Sequence, residues 1–341
     1  MNLEFILAGV ILISLTFYVL MGGADYGAGV LSLLARGPSA PRQRELIATA
    51  IGPIWEANHV WLILIVTVLF TAFPPAFASI TTTLHIPLTV MLVGIVLRGS
   101  AFAFRTNDVV SRTALSEAHV LWDRVFALSS LLTSILLGVT IGAIASGRLV
   151  QTNGGFLDVF VYPWFSPFPF AVGLLALALF TFLAAVYLIL ETTHHELREV
   201  FRRRALAAAV VVGVLAAVVF VLSWTEAPEI SAGLADKVWG RLMLIAAAIS
   251  AVVAAVCLWK RWFRPARMFA VGEVTCILWG WALAQYPFLI EPHMTISNAA
   301  APAPTLRWLL AALVCGALLL FPSLYYLYRI FKRRAVFGDP A

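Results

Sequence analysis

Nine long apolar runs, separated by short loops whose positive charges gather on alternate sides, constrain this 341-residue chain more than anything else in it. A spanning helix needs about 20 mostly apolar residues. The runs at 4–34, 47–72, 78–104, 120–146, 166–191, 204–224, 239–259, 267–289 and 306–330 meet that length. They predict an all-α polytopic membrane fold, with 1–341 as one membrane domain. The first run is longer than a bilayer requires, so it is expected to tilt or project. Barrel strands would alternate apolar and polar residues over about 10 positions; LILIVTVLF and LAAAVVVGVLAAVVFVL do not. Charged residues make up 12% of the chain, against roughly 25% in soluble domains. No soluble class fits.

The net charge of +6 would point to nucleic acid in a soluble protein. Here topology accounts for it, and no nucleic-acid partner is expected. Of the 23 Lys and Arg, all but Arg148, Lys237, Arg241 and Arg307 fall on one side: in the loops after runs one, three, five and seven, in the tail, or at adjoining helix ends. By the positive-inside rule the N-terminus is outside and the C-terminus cytoplasmic. The first run has no basic n-region and contains Asp25, so it reads as a helix of the fold and not as a signal peptide.

Cys257, Cys276 and Cys315 stand singly in apolar runs. No paired spacing implies metal or redox work, and buried inert thiols are expected. Aromatic residues gather at run ends, for example Tyr162, Trp164, Trp259, Trp262, Tyr325 and Tyr328, as an interfacial belt would. Gly22–Gly29 is dense in small residues, which let membrane helices approach closely.

Asp25 lies among those small residues. It precedes Arg36 by 11 positions, and Glu56 follows Arg44 by 12. At 1.5 Å per residue both sit roughly 15–18 Å from these basic anchors, so consecutive antiparallel helices bring two carboxyls to comparable depth. An acid at mid-bilayer costs about 2.5–3.5 kcal/mol on insertion scales and persists where it faces protein or water. Two readings follow: a proton relay, or a structural hydrogen bond joining the first two helices. Asn58 and His59 adjoin Glu56, and helical spacing puts Glu56 and His59 on neighbouring turns of one face. The imidazole could join a proton path or ligate haem with His85. The rise per residue sets their depths about 10 Å apart, which argues against a haem pair.

Other polar positions carry weaker signals. Arg98 and Arg105 share a helix face near the cytoplasmic interface, where they could snorkel or bind an anionic group. Asp123, beside Trp122 and Arg124, opens a helix and is favoured by its dipole. Glu191, His194, His195 and Glu196 end the fifth run, where charge is cheap, and receive no role. Glu273 is a third membrane acid, with Gln285 further along, and has the same relay-or-structure ambiguity. There is no phosphate-binding loop, no metal-spaced Cys or His cluster and no G-x-S-x-G nucleophile motif.

These residues resemble subunit II of the cytochrome bd quinol oxidases. The matching segments are G-A-D-Y-G-A-G at 23–29, I-G-P-I-W-E-A-N-H-V-W-L-I at 51–63, A-F-P-P-A-F-A at 72–78 and L-R-G-S-A-F-A-F-R at 97–105. W-D at 122–123, Y-P-F at 286–288 and M-T-I-S-N-A-A-A at 294–301 continue the order. The resemblance implies two four-helix bundles plus a peripheral helix, in a prokaryotic cytoplasmic (inner) membrane. It implies an obligate heterodimer with a related subunit I, with room for small single-helix accessory subunits.

The complex it implies oxidises quinol and reduces dioxygen to water, generating a proton gradient without pumping. Two b-type haems and a haem d (or a third b-type haem) belong to subunit I, so no side-chain ligation of a cofactor is expected in this chain. Some relatives hold a structural quinone in this subunit. Glu56 matches the family position implicated in a proton path towards the oxygen-reducing haem; the family often has Asp there. His59 stands where Gln is frequent. The chain would thus be a non-haem subunit, inactive alone, that stabilises subunit I and conducts protons through Glu56. Asp25 would tune or join the path, and Asn58 and His59 would line it. The alternatives are a proton-coupled secondary transporter using Asp25 and Glu56, and a haem-binding membrane cytochrome using His59 and His85.

Overall fold

A computed structural model describes residues 2–52, 54–108, 117–150 and 154–336. Arg112 and the side chains of Arg105, Tyr328, Lys332, Arg333 and Arg334 lie outside the described residues. The chain begins with α1 (Leu3–Phe17), a π-helical turn (Tyr18–Gly22) and α2 (Gly23–Leu33), which together form one span. There follow α3 (Ala40–Ile51), α4 (Trp55–Ala72), α5 (Pro74–Thr83), α6 (His85–Asp108) and α7 (Glu117–Ala145). The second half has α8 (Phe156–Phe160), α9 (Pro167–Glu191), α10 (His195–Glu226), α11 (Pro228–Ala235), α12 (Val238–Trp259) and α13 (Phe263–Gln285). A small hairpin of β1 (Phe288–Ile290) and β2 (Met294–Thr295) leads into α14 (Ala303–Val336).

Among the described residues 9 helical segments are long and apolar enough to cross a membrane, the number expected from sequence. Several boundaries differ. The sixth span begins at His195 and not at 204, because α10 continues through the charged stretch before the apolar run, and the eighth runs Phe263–Gln285 and not 267–289. The second span begins at Trp55 and not at 47, because α3 ends at Ile51 and α4 starts anew. Proline at position 53 supplies no backbone donor to continue the helix. The third span begins at His85 and not at 78, because α5 is a separate helix with prolines in its first turn.

The second to fourth spans and α2 form one group of helices, and α9, α10, α12 and α13 form another. α9 joins them by packing against α2 and α7 on one side and α10 and α13 on the other. Of its most apolar stretch 67% is buried, against 0% for α14, which leans on α1 and α4 at the periphery. Outward apolar stripes such as Val210, Val214 and Val221 on α10 follow helical spacing and suit hydrocarbon.

Small residues set the closest approach, as the sequence predicts. A Cβ on Gly27 would overlap the Phe180 carbonyl oxygen of α9, and one on Gly29 would overlap Ser130 Oγ of α7. Only a residue without a side chain lets α2 seat against both helices at once.

The arginines at the basic end also close helix termini. Arg204 donates to the carbonyls of Leu31 (3.3 Å) and Leu34 (2.8 Å) at the end of the first span, and Arg202 to Leu258 O (3.3 Å) at the end of α12. Terminal carbonyls lack intrahelical partners and carry the negative end of the helix dipole. The basic loops therefore bind the fold as well as setting its topology.

At the opposite end the hairpin covers the helices through Ile290, Ile296 and Ala299, and Ala301 N donates to Ala72 O at 2.8 Å. Lys237 Nζ donates to the Ala284 and Tyr286 carbonyls, both at 2.8 Å. Between the strands sits Glu291, 5% exposed. Burial, with the Glu229 charge adding and Lys237 opposing, pushes its carboxyl up from 4.5 to about 7.

Two outcomes follow from this packing. The folded protein holds the Glu291 proton more tightly than the unfolded chain does. Its stabilising contribution is complete below about pH 4.5 and is lost as the pH rises through about 7. Thermal unfolding midpoints of the assembled complex should therefore fall between pH 5 and 8 through this group, and Glu291→Gln should flatten that part of the curve. Gly27→Ala should destabilise by about 1–3 kcal/mol through overpacking. Gly9→Ala, with nothing within 4 Å of the added carbon, should be neutral or better in the same melts.

Candidate functional site

Asp25 sits in the first turn of α2, directly after the π-helical turn, and is 6% exposed. Such turns inside α-helices often mark functional positions because they rotate the residues that follow. Asn58, buried one turn into α4, donates from Nδ2 to Asp25 Oδ2 at 2.6 Å. This contact fixes the relative level of the first two spans. The carboxyl has its amide partner across the helix pair, as the structural reading of Asp25 requires.

Glu56 is at nearly the same level, about 3 Å along the axis from Asn58, but two helical positions separate their directions by roughly 200°. Its side chain is exposed, on the stripe of α4 that also carries Ile63 and Phe70. The comparable depth expected for the two acids holds, while they occupy opposite faces of α4, with Asn58 between. The break before Trp55 also puts Glu56 in the first turn of its helix, where the dipole favours a carboxylate.

His59 turns towards rings. Its imidazole centroid lies 5.9 Å from Trp55 and 6.2 Å from both Tyr18 and Tyr26. The two tyrosine hydroxyls are 3.1 Å apart. His85 is the first residue of α6, with Nδ1 2.8 Å from Thr82 O and its ring 5.2 Å from Phe160. His59 stands several turns before the end of α4 nearest α5 and α6. At the rise of an α-helix that separation is about 20 Å along the axis. The two imidazoles therefore form no axial pair for haem. Among the described residues no three His, Cys, Asp or Glu come together as a metal site would require.

Arg98 does not snorkel. It is 2% exposed, with its guanidinium carbon 4.6 Å from the Tyr26 ring, 5.2 Å from Phe126 and 5.9 Å from Trp55. Its Nε and Nη2 have no hydrogen-bond partner among the described residues. Aromatic faces attract a desolvated cation by about 2 kcal/mol, which offsets only part of the cost of burial.

The remaining expectations divide. Trp122 stacks on Phe104 at 4.6 Å. His194, His195 and Glu196 are exposed at the start of α10, as charge at an interface would be. Glu273 is buried within α13, and its Oε2 has no hydrogen-bond partner among the described residues. The cysteines correct the expectation of three buried thiols: Cys257 is buried, Cys276 is half-buried and Cys315 is exposed on the peripheral α14. A thiol facing hydrocarbon is as apolar as its surroundings demand.

Sequence reasoning missed a cleft of about 450 Å³ between the two helix groups. Asp25 and Asn58 line it, with Tyr187 and Glu191 from the end of α9 and Arg267 from the start of α13. The Arg267 guanidinium carbon lies 4.7 Å from the Tyr187 ring centroid. No local pattern links these positions, because they come from segments far from Asp25 in the chain.

The family profile of the cytochrome bd terminal oxidase subunit II matches residues 3–331. A Bacillus subtilis (strain 168) protein assigned as a cytochrome bd menaquinol oxidase subunit II is 23% identical over 335 residues, covering 93% of this chain and 92% of its own. The cytochrome bd-I ubiquinol oxidase subunit 2 of Escherichia coli (strain K12) is 26% identical over 216 residues, covering 60% of this chain and 52% of its own. A chain in the structure of the bd oxidase from Geobacillus thermodenitrificans superposes with a TM-score of 0.78 at 23% identity, over 97% of this chain and 99% of that one. With the profile spanning almost every residue, the chain belongs to the cytochrome bd terminal oxidase subunit II family.

Proposed function

We propose that this chain is the non-haem subunit of a quinol:dioxygen oxidoreductase that stabilises subunit I and carries protons to it from the cytoplasm. Family membership supports the oxidase over a transporter, and the separation of His59 from His85 weighs against a haem-binding cytochrome. Among the relatives, one is named for menaquinol and others for ubiquinol, so the substrate class is quinol.

The single observation that carries the proton reading is the Asp25–Asn58 contact with Glu56 on the far face of the same helix turn. It gives a protonatable group on each side of α4 at one level. Asn58 Nδ2 orients the Asp25 carboxyl, and waters between carboxyl groups would carry the proton across. Glu56 faces outward, where hydrocarbon would penalise it by up to about 2.5–3.5 kcal/mol. A polar surface on subunit I would relieve that penalty, which supports docking along this stripe of α4 as an obligate heterodimer. The basic end, with Arg44, Arg202, Arg204 and Arg267, faces the cytoplasm in this reading, in a prokaryotic inner membrane. Protons consumed in water formation then come from the inside, and turnover is electrogenic without pumping. Subunit I supplies the haems and the redox chemistry.

Glu56→Gln keeps size and hydrogen bonding but holds no transferable proton. Quinol-driven oxygen uptake by the assembled complex should fall by about tenfold or more, with subunit stoichiometry and haem spectra intact; unchanged turnover would remove Glu56 from the path. Asn58→Ala leaves a buried carboxyl without its amide, and should lower stability by about 1–3 kcal/mol, read as an earlier thermal transition.

A further inference from the structure

We infer that the cleft between the two helix groups is the intake of this proton path, with Glu191 as the collecting group at its mouth and Tyr187 and Arg267 positioning the water within it. The inference rests on the reading just given and adds residues that reading does not use.

The geometry fits a hydrated passage. Ala184, Tyr187, Leu188 and Glu191 follow one another at helical spacing, so α9 presents a single face to the cleft. Glu191 ends α9 at the basic end, whereas Asp25 lies two turns inside the end of α2. Two turns of helix put Asp25 about 12 Å deeper than that end. Side chains one turn apart, Glu191 then Tyr187, cover the shallow half of that distance. Asn58 and Asp25 cover the deep half. At about 30 Å³ per water, the volume of about 450 Å³ holds on the order of ten molecules. Water needs two to four polar partners to stay in such a space, and Glu191, Tyr187, Arg267, Asn58 and Asp25 are distributed along its length.

The remaining walls are apolar, for example Phe17, Leu20, Ile51 and Ile54. Such walls bind water weakly and leave it mobile between the polar stations. The titratable or charged groups lining the cleft are Asp25 from α2, Tyr187 and Glu191 from α9 and Arg267 from α13; α3 and α4 contribute none. His194 and His195 follow Glu191 in the chain and are exposed outside the cleft. Arg267, whose guanidinium lies over the Tyr187 ring, stands beside the path and, as a donor-only group, orients the oxygens of neighbouring waters. In each transfer one O–H bond breaks and one forms: a protonated water gives its proton to a Glu191 carboxylate oxygen, Glu191 returns it to the water chain and is a carboxylate again, and the chain delivers it to an Asp25 carboxylate oxygen.

The test uses the complete oxidase with subunit I. Glu191→Gln should lower maximal oxygen uptake at least threefold at pH 8, where protons are scarce, and little at pH 6, with haem content and melting unchanged. Ala184→Leu narrows the cleft without touching a titratable group and should lower uptake at both pH values. If both variants match the parent from pH 6 to pH 9 while Glu56→Gln is slow, protons enter elsewhere and this inference fails alone. If Glu56→Gln is also normal, the proton reading itself fails. Loss of a co-purifying lipid or quinone from Ala184→Leu, with normal uptake, would make the cleft a tail-binding groove and overturn the proposal.

Discussion

The Phe180 carbonyl of α9 occupies space that any side chain at residue 27 would need. That contact brings the first span against the central helix of the second group, and much else follows from it. α2 is pressed to α9 at Gly23 and Gly27. The cleft lined by Asp25, Tyr187 and Glu191 runs beside that contact. Membrane helices gain nothing from burying apolar surface in one another when lipid is equally apolar, so close van der Waals approach is what holds them. Glycine at these points is thus what lets the two helix groups hold together.

Polar groups are few, and several have a structural setting. The carbonyl ends of the first span and of α12 accept from Arg204 and Arg202, and the end of α13 accepts from Lys237. Asp25 accepts from Asn58. Arg98 departs from this pattern: it lies among aromatic rings with two nitrogens unfilled among the described residues. A buried cation of this kind raises the electrostatic cost of the first helix group and repels further positive charge near Tyr26 and His59.

Much of the candidate site could be read from the chain. Asp25 and Asn58 stood out as polar residues inside apolar runs, and the rise per residue placed the first two spans at matching levels. Rotation about the helix axes was not legible. The periodicity of α4 is blurred by an apolar residue on nearly every side, so nothing local distinguished Asn58 as the inward partner and Glu56 as the outward acid. Glu191 looked like ordinary interface charge because charge at a helix end costs little anywhere.

By itself the sequence determined the number of spans, the sharing of charge between the two ends and the family, because hydrocarbon thickness and the cost of charge act on local composition. The tertiary structure alone decided which faces meet. It turned Arg98 inward, set Glu56 and Asp25 on opposite sides of one helix, kept His59 apart from His85 and gathered Tyr187, Glu191 and Arg267 beside Asp25. Those outcomes depend on how helices rotate and cross, and that is fixed by close packing between segments far apart in the chain.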